Sequence, residues 1–336
     1  MFDFMRAGYL SLFVLINLIS FSGNAQKITK EELENLREDT LALEEKLEDI
    51  ENQYAASDAF MSYKEAFVVY LETLDQPKPY SEQEMLKRAE SSDVILFGDD
   101  HSNALSQENF MRLIRAASKG DGPVTVVIEW VDKMYQSSLD AYMAGEIGDR
   151  KFMEEIEFDT KWGFEWASHL KILKLARELG LHVMAVENKT NKNGKPIYLR
   201  TRDNNIVRSI AQARKENEDM RFVVSYGSFH LAGGEDPHIK EKLTAAGLEP
   251  DLVAYPYSNG EYWKVLEKTL DMDKAKVLRY SDTEFFYYQG SVDRVLNNLK
   301  HYLNLSETSL IYKVITEALR TKGVMPSKSC DDLLAS

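Results

Sequence analysis

The sequence predicts an α/β fold: a mostly parallel central sheet flanked by helices, with a small helical lobe and an N-terminal coiled-coil-like helix. Three observations predict it. Short apolar runs rich in β-branched residues recur at 94–97, 124–128, 181–186 and 222–226, each the length of a buried strand. Amphipathic helical stretches separate them, the alternation that builds parallel sheets with helices on both faces. Two of the runs end in the same way, with a glycine followed by a histidine three residues on: Gly98-Asp-Asp-His101 and Gly227-Ser-Phe-His230. In open α/β sheets ligands bind beyond the carboxyl ends of the strands, where such segments converge.

Taken in order, residues 1–25 have the layout of an export signal. Arg6 supplies the positive start, 9–19 is an apolar core, and Gly23-Asn-Ala25 is a small-residue cleavage site. The apolar core is short of the roughly 20 residues a membrane-spanning helix needs. A charged heptad helix is expected over 26–57. Thr29 and Glu32 fit a capping box, and Leu33, Leu36, Thr40, Leu43, Leu47, Ile50 and Tyr54 form a seam that could pair two copies of the chain or fold back on its own domain. The α/β domain itself is expected over 58–285, with the helical lobe at about 131–179, and C-terminal helices and a polar tail over 286–336.

Within the domain, 60–74 reads as an amphipathic helix closed by Pro77 and Pro79, and a further helix precedes the first strand. Gly98 suits a sharp exit from that strand. The second strand delivers Glu129 and the third Glu187-Asn188. Asp203 is placed to cap the following helix, and fifth and sixth strands are read at 252–255 and 276–280.

The 336 residues carry a net charge of −14, which argues against a nucleic-acid footprint because that needs a basic patch. Cys330 is the single cysteine, so an intramolecular disulfide and thiolate metal clusters are excluded. No P-loop, dinucleotide glycine fingerprint or Gly-x-Ser-x-Gly elbow is present.

Four parallel strand ends would bring Asp99 and His101, Glu129, Glu187 with Asn188, and His230 to one crevice, with Tyr226 near the same edge. Imidazoles with carboxylates suit a divalent metal such as manganese or zinc, with His101, Glu129 and His230 as ligands. Without a metal the same groups make a general base and its orienting partner. A carboxylate at Glu129, at the end of the buried-strand run 124–128, is costly unless paired, which favours a site role. Asp100 reads as a solvated neighbour. His169 reads as core packing, His182 as remote from the functional edge, His238 as surface, and Trp162, Phe164 and Trp166 as core aromatics.

These motifs resemble the ChaN-like haem-binding uptake family of the Tiki/TraB/erythromycin-esterase superfamily. The resemblance runs from about residue 63 to about 242 and rests on 94–101, Val126-Val-Ile-Glu-Trp130, 136–145, the stretch from Trp162 to Asn188, Arg202-Asp203 and Tyr226-Gly-Ser-Phe-His-Leu231. It implies a pocket centred on His101, Glu129 and His230 with Asp99 beside them, and haem binding linked to iron uptake at the bacterial envelope. Tiki relatives look like metal-dependent proteases, and esterase relatives hydrolyse a lactone. ChaN members are often lipoproteins, and this sequence departs from that by lacking a cysteine at the end of its signal. The expected function is therefore haem or iron handling by an exported protein, in the periplasm or cell envelope. The alternatives are a metal-dependent hydrolase acting on a small-molecule or peptide ligand, and a non-catalytic scaffold assembled as a homo-oligomer through 33–54.

Overall fold

The computed structural model describes residues 29–31, 33–34, 37–38, 58–162, 164–188, 197–256 and 260–288. The expected signal, most of the heptad seam, the C-terminal helices and Cys330 lie outside these residues. One compact unit spans 56–262 and 274–290, and a second comprises 1–55, 263–273 and 291–336. The first contains the sheet and the site.

Among the described residues, eight strands form one mixed sheet in the order β1-β7-β8-β6-β2-β5-β3-β4. The strands are β1 (Lys78–Pro79), β2 (Val94–Asp99), β3 (Val124–Asp132), β4 (His182–Glu187), β5 (Arg221–Gly227), β6 (Leu252–Tyr255), β7 (Val277–Arg279) and β8 (Glu284–Tyr287). Strands β2 to β6 and β8 pair in parallel, and β7 pairs antiparallel with both β1 and β8. The described helices are α1 (Asp58–Thr73), α2 (Glu82–Ala89), α3 (Ala104–Ala117), α4 (Gln136–Met143), α5 (Asp149–Glu155), α6 (Phe158–Lys161), α7 (Trp166–Glu178), α8 (Leu199–Glu216), α9 (Ile239–Ala245), α10 (Glu261–Thr269) and α11 (Met272–Ala275). None is long and apolar enough to cross a membrane.

Alternation along β2 builds the two-sided core, because successive strand side chains point to opposite faces. Ile95 and Phe97 pack with Met85 of α2, Phe110 and Leu113 of α3, and the helical lobe. Val94 and Leu96 pack on the other face with Phe67 of α1, Ile206 and Ile210 of α8, and Leu243 of α9. Each truncation of a large core residue such as Phe97→Ala would cost about 3–5 kcal/mol, transfer and cavity terms together.

The sequence missed β1 and β8, which are two and four residues long. Runs that short leave no periodicity to read. β2 continues through Gly98 to Asp99, so its exit comes one residue later than expected. Helix α8 begins at Leu199 after Tyr198, with no side-chain cap, so Asp203 is not the cap expected of it; its carboxylate is drawn to a buried histidine instead.

The chain visits β2, β3 and β4 and then returns to insert β5 between β2 and β3. That insertion makes a topological switch point, and the crevice lies at its carboxyl edge. Asp99 is level with Gly227 across the β2–β5 pair, and Ile128, just before Glu129, is level with Ser225. A register irregularity between Ile128 and Asp132 ends with Asp132 level with Glu187.

Candidate functional site

Two histidine–carboxylate centres sit at this edge. In the first, His101 Nδ1–H donates to Asp99 Oδ2 at 2.8 Å. The other oxygen of Asp99 accepts from Ser106 Oγ at 2.6 Å and Gln107 Nε2 at 2.8 Å, both on α3. Opposite Asp99, His101 Nε2 lies 3.5 Å from Glu129 Oε2. Glu129 Oε2 accepts from the Gly227 N–H at 2.7 Å, and its Oε1 accepts from Arg202 Nη2 at 2.9 Å. A Cβ on Gly227 would stand 3.2 Å from His101 Nε2 and 3.4 Å from Glu129 Oε2, so a glycine keeps this approach open.

Arg202, on the first turns of α8, also grips Glu187: Nε donates to Oε1 at 2.9 Å and Nη2 to Oε2. Glu187 Oε1 accepts the Asn188 N–H as well, at 2.6 Å. Tyr226 donates to Glu187 Oε2 at 3.3 Å.

The electrostatics follow from burial set against these partners. Burial pulls the His101 pKa down, but the charges on Glu129 and Asp99 outweigh it and leave it above its ordinary value. Burial pushes Asp99 up, and its hydrogen bonds, led by the one to His101, bring it below the ordinary value. Burial works against the charge on Arg202 too, yet Tyr226, Glu187 and Glu129 hold it charged. The Tyr226 phenol is pushed up by burial and by the two glutamates.

In the second centre, His230 Nδ1–H donates to Asp203 Oδ1 at 2.7 Å, and Tyr63 of α1 donates to Asp203 Oδ2. Burial raises the Asp203 carboxyl, and the contacts with His230 and Tyr63 bring it below its ordinary value. Tyr226 links the centres, with its ring edge-on to His230 at 4.9 Å and its hydroxyl beside Arg202 and Glu187.

The two histidines therefore do not share one ligand set. Among the described residues no three His, Cys, Asp or Glu side chains are grouped to hold a metal ion. The expected manganese or zinc site at His101, Glu129 and His230 is therefore not supported by the arrangement of the described residues. The physical reason is partner choice: Glu129 is spent on Arg202 and Gly227, and His230 turns to Asp203.

A cleft of about 180 Å³ opens beside the first centre, lined by Glu129, Trp130, Asp132, Ile156, Lys161, Trp162 and Glu187. The Trp162 ring stands 4.4 Å from that of His101 and Phe164 stands 5.3 Å away, so two of the three lobe aromatics read as core also wall the site. His169 is core as expected. Its Nδ1–H donates to Glu165 O at 2.8 Å, its Nε2 accepts from Trp162 Nε1 at 3.2 Å, and burial holds its pKa down to about 4. A neutral buried imidazole thus orders the indole that packs on His101.

His182 opens β4 at the opposite edge, as read. Two readings fail. His238 is fully buried, stacked on Tyr63 at 3.8 Å, and Asp100 is 7% exposed rather than solvated. Arg202, Tyr63, Ser106 and Gln107 were not singled out for the site by sequence reasoning. Only Arg202-Asp203, adjacent on one helix, carried a signal, because neighbouring opposite charges on a helix face two directions about 100° apart.

Residues 85–193 match the family model described as "Haem-binding uptake, Tiki superfamily, ChaN". No curated protein matches the sequence. Among solved structures, ChaN of Campylobacter jejuni with cofacial haem is similar at 12% identity and a TM-score of 0.38, over 52% of this chain and 86% of that one. The type III effector HopBA1 is similar at 15% identity and a TM-score of 0.37, over 54% of this chain and 84% of that one. The C-terminal region of Pasteurella multocida toxin is similar at 17% identity and a TM-score of 0.37, over 64% of this chain and 30% of that one. The similarity to that family model covers the segment that contains β2, His101 and Glu129, about a third of the chain.

Proposed function

We propose that this protein binds haem and serves iron handling, exported through residues 1–25. The observation that carries this reading is the family match over 85–193. The strand-end cleft does not fit the group: about 180 Å³ is well below the roughly 300–1,000 Å³ of sites that enclose a drug-sized ligand. Both ring nitrogens of His101 also face carboxylates. Haem would therefore lie outside this cleft.

Iron in haem is ligated by His, Cys, Met or Tyr. Among the large, exposed hydrophobic side chains of the described residues, Tyr198 (83% exposed) and Met134 (68%) carry such an atom. Bound haem would supply an iron centre open to a phenolate or a thioether. Haemin titration of the full chain, followed by visible absorbance, should give a saturable band. It should survive His101→Ala and shift in Tyr198→Phe or Met134→Leu. No saturable band would sink the haem reading, and loss in His101→Ala would move haem to the strand ends.

One observation favours a second activity at the strand ends. His101 is oriented by Asp99, faces Glu129, and stands beside a cleft sized for one small group, the arrangement of a general acid–base pair. This reading is hydrolysis of an ester or amide without a metal. A panel of small esters and peptides should be turned over, with loss of about 100-fold or more in His101→Asn and Glu129→Gln. Equal rates in wild type and variants would discard it.

A further inference from the structure

Helix α8 carries no acidic residue in its first turn, and Arg200 and Arg202 stand close to its amino terminus. A cation there opposes the helix dipole, which favours negative charge at the amino end. Arg202 is also largely buried, its side chain 13% exposed. Helix stability explains neither feature. Its contacts do: Nη2 reaches Glu129 from β3, and Nε with Nη2 grips Glu187 from β4.

The division of Glu129 between partners is specific. Arg202 takes Oε1, leaving Oε2 to receive the Gly227 N–H and to face His101 Nε2. Rotation of that carboxylate would break the Gly227 bond and remove the oxygen opposite His101. The geometry points to Arg202 as the positioning residue of this centre: by bridging Glu129 and Glu187 it fixes the orientation in which the Glu129 carboxylate presents an oxygen to His101. Lysine cannot substitute, because a single ammonium lacks the planar fork that holds two carboxylates at set angles. The proposal rests on the acid–base reading of the cluster, but its test needs no substrate.

The test is ¹⁵N NMR of the histidine ring nitrogens in the full-length protein at fixed pH, comparing wild type with Arg202→Lys, Arg202→Gln and Glu187→Gln. Both Arg202 variants should shift the His101 signals, while His169 and His182 keep theirs and report that the fold is intact. Glu187→Gln, which leaves Arg202 on Glu129, should shift His101 less. Wild-type signals in Arg202→Lys would mean that charge alone matters and would overturn the positioning role. Unmoved His101 signals in Arg202→Gln would overturn it as well. If Arg202→Gln fails to fold, Arg202→Lys decides alone. Absence of hydrolysis with these shifts intact would refute the acid–base reading and leave the positioning result standing.

Discussion

The two buried arginines at opposite edges of the sheet are satisfied in opposite ways. Arg221 opens β5 at the amino edge and spends all five donors on backbone carbonyls. Nε reaches Ser92, Nη1 reaches Ala117 and Asp121, and Nη2 reaches Ala89 and Glu90, all between 2.9 and 3.2 Å. Those carbonyls include the carboxyl ends of α2 and α3, where orphan acceptors and the negative end of the dipole welcome a cation. A Cβ on Gly120 would fall 1.7 Å from Glu90 O and 2.7 Å from Arg221 Nη1, so this junction is closed around the guanidinium. Arg202, at the carboxyl edge, meets titratable carboxylates and a tyrosine beside a cleft. One arginine ties down structure with groups that cannot change charge, and the other holds groups that can.

The largest effect that would sharpen this contrast is expected for Arg221→Met. It strands several buried carbonyls at about 1–3 kcal/mol each, so a loss of about 4 kcal/mol or more should appear in urea unfolding. That loss should stay flat from pH 5 to 8, because no carbonyl titrates. A strong pH dependence would break the contrast.

Arg202→Gln should cost about 3 kcal/mol at pH 8, the scale for leaving buried charge unpaired. Here the loss should shrink on acidification. Two neighbouring buried carboxylates without their cation take up a proton more readily folded than unfolded, so the folded state binds more protons and stability falls as pH rises. A loss of equal size at pH 5 and pH 8 would show that Arg202 acts as Arg221 does.

The smallest effect concerns His101. Its folded pKa is raised, so its contribution is fully present below the unfolded value near 6.5 and is lost as pH rises through the folded value. Wild type should therefore lose stability relative to His101→Asn as the pH rises from 6 to 9. Parallel stability profiles would remove His101 from the charged cluster.

How far the site was legible in the sequence depends on which contacts are local. Asp99 with His101 are two residues apart and follow a recognisable strand, so strand-end placement and chemistry together single them out. Glu129 was marked by the cost of a carboxylate at the end of an apolar run, and Glu187 by its place at a strand end. Arg202 lies 73 residues from Glu129 in sequence, and Tyr63 lies 140 from Asp203. No pattern in one sequence announces such pairs. His238 was misread for a related reason: its neighbours suggested surface, but α1 brings Tyr63 over its ring.

The sequence by itself determined the α/β class, the strands β2 to β5 and the edge at which polar residues collect, because strand length, alternation and burial cost are properties of short segments. Tertiary structure alone decided the partners. The return of β5 between β2 and β3 brings Gly227 to Glu129, and the approach of α8 divides the polar groups between two centres. A carboxylate or imidazole takes the nearest buried counterpart that satisfies it, and which one is nearest is fixed only when the chain has closed.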